Sequence, residues 1–67
     1  MLQISLKAAR TNANMTQDDV AKIMKKSKQT IVNWESGKTI IDAANFACLC
    51  KLYRIDPKYI ALPYQST

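Results

Sequence analysis

Thr16 and Ser27 each stand just ahead of a stretch with apolar residues at helical spacing, and only Lys25 and Lys26 separate the two stretches. In the first, Asp19 completes a capping-box pattern with Thr16, with Asp where Glu is usual. Asp18 and Asp19 also suit the positive end of a helix dipole. Val20, Ala21 and Met24 fall on its inner face. The second runs from the Ser27 cap to about Ser36. Ile31 and Trp34, with Thr30 beside them, face inward, and Lys28, Gln29, Val32 and Asn33 lie on the other side. Gly37, the only glycine, stands where a residue of positive φ ends a helix. Two helices joined by so tight a turn form the helix-turn-helix arrangement.

The flanking segments read as helices too. A first helix is expected from about Gln3 to Asn12, with Leu2, Leu6 and Ala9 as its apolar stripe and Asn12 to Asn14 as its stop. Asp42 caps a fourth, to about Tyr53, in which Phe46, Leu49, Cys50 and Tyr53 recur at helical steps. Asp56 followed by Pro57 is a cap with proline at the first helical position. A short fifth helix should run from there to about Leu62, with Pro63 stopping it. One glycine and two prolines leave little chain for long loops. The expectation is an all-α, five-helix fold over residues 1–67, one domain with a small core.

Ten Lys and Arg against five Asp and Glu give a net charge of +5 and favour a polyanionic partner. Lys22, Lys25, Lys26, Lys28 and Lys38 fall in the middle third, offset after Asp19 only by Glu35. Cys48 and Cys50 lie two apart on the fourth helix, a rotation of roughly 200° that points the thiols to opposite sides. They cannot bond to each other or share a metal. With no histidine in the chain, a zinc finger is excluded, and neither metal nor cofactor is expected. No stretch resembles a signal peptide or is long enough to span a bilayer, so a soluble, cytoplasmic protein is expected. The absence of a nucleophile–base pair and of a glycine-rich phosphate loop argues against an enzyme.

The segment TQDDVAKIMKKSKQTIVNWESGK, Thr16 to Lys38, resembles the lambda-repressor and Cro-like (XRE-type) helix-turn-helix family. The matching features are Thr16-Gln17, Val20-Ala21, Ser27, Gln29-Thr30-Ile31, and Trp34-Glu35 with Gly37-Lys38. The similarity runs in register from about Leu6 to Leu62. It implies a five-helix bundle whose third helix enters the major groove of DNA. Four departures bear on stability and turn geometry: Lys25 and Arg54 stand where the family often has glycine, Lys26 replaces an apolar residue, and Ala9 replaces a larger one.

The resemblance assigns roles that fit the chemistry of the side chains. Gln29 offers a donor and an acceptor for adenine N6 and N7, Lys28 suits guanine O6/N7 or a phosphate, and Asn33 suits a base or the backbone. Val32 suits a thymine methyl or partial cover by the second helix. Gln17, Ser27, Lys38 and Thr39 match positions that hold DNA phosphates. Lys25 and Lys26 are either a solvated pair or further phosphate contacts. Arg10 and Glu35 match a family pairing between the first and third helices, the alternative being two separate surface charges. Trp34 belongs to the core by its spacing from Ile31. The expected function is a transcriptional regulator, such as a Cro-like repressor of a phage or mobile element, on a double-stranded DNA operator. One recognition helix reads few base pairs, so a homodimer is expected, formed beforehand or only on DNA. Tyr59, Leu62 and Tyr64 are the candidate dimer surface, with Ile60 taken by the core. The alternative is an antitoxin that binds a toxin protein and regulates itself through DNA. A protein-interaction module without DNA binding fits less well with Gln17, Gln29 and Lys38.

Overall fold

A short polar side chain sets the start of every helix, because its oxygen accepts one of the amide N–H groups that the first turn leaves unpaired. The computed structural model describes residues 2–64. Among them α1 spans Leu6–Asn12, α2 Gln17–Met24, α3 Lys28–Ser36 and α4 Ala43–Tyr53, followed by a single 3-10 turn at Pro57–Tyr59. Ser5 Oγ accepts from Ala8 N at 3.0 Å and Asp42 Oδ1 from Asn45 N at 2.8 Å. At α2 the capping box is complete: Asp19 N donates to Thr16 Oγ1 at 3.0 Å and Thr16 N donates to Asp19 Oδ2 at 2.9 Å. Hydrogen bonding from Thr16 to the Asp19 carboxylate, chiefly from the backbone N–H and then from the side chain, holds that carboxyl below its usual pKa.

The helix ends share a second device. Asn14, Lys25 and Arg54 all adopt left-handed backbone, at φ 59°, 57° and 56°. Each lets the next amide reach back to a carbonyl of the last turn: Met15 N to Arg10 O at 3.2 Å, Lys26 N to Ala21 O at 2.9 Å, Ile55 N to Cys50 O at 3.0 Å. Lys25 thus supplies the tight turn between α2 and α3 despite its side chain.

The two ends of the chain depart from the helical expectation. The first helix begins at Leu6, after the Ser5 cap, and not at Gln3. The fifth helix, expected from Pro57 to Leu62, is only the 3-10 turn, and Ile60 is extended at φ −101° and ψ 126°. The cause is a parallel bridge between Ile4 and Ile60. Ile4 N donates to Tyr59 O, and Ala61 N donates to Ile4 O, both at 2.8 Å. Backbone groups paired across the ends are not available to continue either helix. Gln3 adds a side-chain bond to Lys58 O at 3.0 Å.

The core collects Leu6, Ala9, Val20, Ala21, Ile31, Trp34, Ile41, Leu49, Cys50, Tyr53 and Ile60. The inner positions of every helix meet there. Leu2, placed by spacing on the α1 stripe, is 85% exposed because it precedes the helix. Ile41 enters the core from the loop between α3 and α4, a position helical spacing does not mark. The α2–α3 pair packs closely, and α1 and the 3-10 turn pack on α4. Cys48 is exposed and Cys50 buried.

Candidate nucleic-acid interface

Burying Ile31 and Trp34 turns the opposite side of α3 outward. Lys28 and Gln29 are exposed there, and Val32 and Asn33 are half-buried. Gln29 Nε2 donates to Asn33 Oδ1 at 2.9 Å, one helical turn on, so the two amides form one polar strip. Lys28 Nζ lies 3.8 Å from Asp18 Oδ2 on α2, a loose pair on the surface. An exposed pair of this kind is worth little, so Lys28 is available to a stronger anion. Ser27 Oγ accepts from Thr30 N at 3.2 Å and shares a hydrogen bond with Thr30 Oγ1 at 2.9 Å. Its hydroxyl is occupied first as the α3 cap.

Gln17, the first residue of α2, turns toward α3. Its Nε2 donates to Glu35 Oε1 at 3.0 Å. The same carboxylate receives Arg10 of α1 through two bonds, Nε to Oε2 at 2.7 Å and Nη2 to Oε1 at 3.3 Å. Arg10 Nη1 also donates to Met15 O at 2.9 Å. Three helices are tied at one carboxylate. The hydrogen bond to Glu35 raises the Arg10 pKa, against the opposing effect of burial. Behind this cluster the Tyr53 hydroxyl is buried without a hydrogen-bond partner among the described residues. Burial, reinforced by the charge of Glu35, pushes it up to about 12. The link from Gln17 to Glu35 was not legible in the sequence, since an arginine–glutamate pairing says nothing of a third partner.

The loop after α3 carries the next candidates. Lys38 and Thr39 are both exposed. Lys38 N donates to Ser36 Oγ and Thr39 N to Asn33 O, each at 3.4 Å. Gly37 turns the chain at φ 83°, and a Cβ there would lie 3.1 Å from Pro63 Cβ and Cγ. The C-terminal segment therefore backs the loop that presents Lys38.

The candidate dimer residues lie apart from the α3 face in character. Tyr59 is 40% exposed, with Lys58 Nζ 5.2 Å from its ring centre. Leu62 and Tyr64 are half-buried against the core. Tyr64 Oη donates to Ile41 O at 3.5 Å. Ile60 is buried at 3% exposure. Ile40, at 74% exposure, is an outward apolar residue that sequence reasoning missed. The adjacent Ile40-Ile41 pair was the signal, because consecutive residues in extended chain face opposite ways. Among the described residues no cluster of His, Cys, Asp or Glu can hold a metal ion. No helix there is long and apolar enough to cross a membrane.

Two short helices joined through a left-handed lysine, the second with an outward polar face, define a helix-turn-helix module. A family model described as a helix-turn-helix domain matches residues 4–66, and the chain belongs to that XRE-type helix-turn-helix family. No curated protein and no solved structure matches it significantly. The family suggests a DNA-binding regulator and is typically non-enzymatic.

Proposed function

We propose that this chain is a sequence-specific regulator that reads a double-stranded DNA operator with α3 in the major groove, as a Cro-like repressor of a phage or mobile element does. The outward strip of α3 carries the reading: Lys28, Gln29, Val32 and Asn33 are left without a place in the core by the burial of Ile31 and Trp34. A helix fits the major groove, and side chains on its N-terminal half reach base edges. Gln29 serves adenine, Lys28 guanine or phosphate, and Val32 a thymine methyl. Gln17, Ser27, Lys38 and Thr39 hold the flanking phosphates, which fix register without carrying sequence information.

One such helix covers too few base pairs for useful selectivity, so the operator is read by a homodimer across two half-sites. Tyr59, Leu62 and Tyr64 supply its surface. Tyr59 is the most exposed of the three and Tyr64 is partly committed to Ile41, so the contact area is modest and dimerisation is coupled to DNA.

Selection from a random duplex pool at near-physiological salt, followed by sequencing, tests this reading. An enriched palindrome with half-sites about one helical turn apart is expected. Binding with no enriched sequence, abolished by moderate salt, would overturn operator recognition and favour a protein partner such as a toxin.

A further inference from the structure

We propose that the Arg10–Glu35 pair positions Gln17 for the DNA backbone, so that this buried pair sets DNA affinity as well as fold; the inference rests on the DNA-binding reading above. A carboxylate only accepts hydrogen bonds, so the Gln17 amide must present its NH2 end to Glu35 Oε1, 3.0 Å away. That contact fixes which way the amide faces. One N–H is used, and the second is left to a further acceptor. The flipped amide, which would turn its carbonyl to an incoming phosphate, is excluded.

The position suits an anion. Gln17 opens α2 behind the Thr16 cap, where the helix dipole is positive. A bare carboxylate beneath it would work the other way, by repelling phosphate. Arg10 removes that repulsion, since its guanidinium meets both Glu35 oxygens, at 2.7 and 3.3 Å. Met15 O holds Arg10 in turn at 2.9 Å. A fixed chain of hydrogen bonds thus runs from Met15 O in the α1–α2 loop through Arg10 and Glu35 to Gln17. Arg10 and Glu35 are positioning residues, each acting through Gln17.

A double-mutant cycle separates this role from simple stabilisation. Binding to one duplex is measured for wild type, Gln17→Ala, the Arg10→Met/Glu35→Leu variant and the triple variant. All are held well below their melting midpoints, and thermal melts are recorded alongside. In the wild-type background Gln17→Ala is expected to weaken binding about tenfold, the worth of one hydrogen bond to a charged group. In the background without the pair it should weaken binding less than about twofold, within ordinary additivity. Equal losses in both backgrounds would overturn the proposal, as would a Gln17→Ala change that lowers the melting point and leaves affinity intact. If the Arg10→Met/Glu35→Leu variant does not fold, the Gln17 side-chain NH2 signals of the wild-type protein decide by NMR. They should shift when duplex is added, and signals that stay fixed would overturn the proposal. Wild-type protein that binds no duplex would instead sink the DNA-binding reading itself.

Discussion

Arg10 Nε lies 2.7 Å from Glu35 Oε2, with side chains only 11% and 8% exposed, and this contact joins α1 to α3. Removing one partner strands a charge that has lost most of its water. Arg10→Met alone should therefore cost about 3–5 kcal/mol. The Arg10→Met/Glu35→Leu double change, which leaves no orphan charge, should cost less. Thermal melts of the two variants check the order. A double variant that melts below the single one would mean the charges are well solvated.

Tyr53 buries a hydroxyl with no partner among the described residues, beside that ion pair. Tyr53→Phe should melt no lower than wild type, since it removes an unsatisfied group and little volume. The pH dependence has a definite sign. The folded state raises this group from 10.0 to about 12. It therefore keeps its proton where the unfolded chain loses it, so its contribution is complete below pH 10 and is lost as pH rises toward 12. The slope is at most about 1.4 kcal/mol per pH unit. Denaturant titrations across this window should show a smaller alkaline loss in the Phe variant than in wild type, the remainder including the Cys50 thiol, which burial also raises.

Lys25 holds φ 57° at the turn between α2 and α3. A residue with a Cβ costs roughly 1 kcal/mol more there than glycine, partly offset by glycine's freedom in the unfolded chain. Lys25→Gly should raise the melting midpoint by a few degrees. Gly37→Ala should lower it, because φ 83° is compounded by Pro63 at 3.1 Å. Differential scanning calorimetry on both variants reads the two opposite shifts.

On DNA, two substitutions should separate reading from gripping. Gln29→Ala should cost about 1–3 kcal/mol on the best site and relax preference at one base pair. Lys38→Ala should weaken binding to every sequence alike and reduce the salt slope by about one. Affinities across a mismatch series, repeated at several salt concentrations, distinguish them. An unchanged slope for Lys38→Ala would remove it from the backbone contacts.

What could be read in the sequence was whatever is local. The caps at Thr16, Ser27 and Asp42, the turn at Lys25 and the inward faces of α2 to α4 depend on residues within a turn or two of one another. The candidate reading face follows from them, because burying Ile31 and Trp34 decides where Gln29 and Asn33 point. The failures involve partners far apart in the chain. Nothing near Gln3 indicates that Ile4 will pair with Ile60, so a helix was expected to start too early and another to run too long. Nothing near Gln17 indicates Glu35. Leu2 carried the right spacing for a helix that had not yet begun.

The pairing of Ile4 with the segment at Ile60 also bears on the order in which the fold closes. Ile4 is synthesised well before its partners Tyr59 and Ala61, with all four helices lying between them in the chain. α1 through α4 can pack on one another without it, but the closing contact waits until Ala61 is in place. A chain cut before Tyr59 lacks that closure and leaves Ile4, and the place in the core that Ile60 fills, open to proteases.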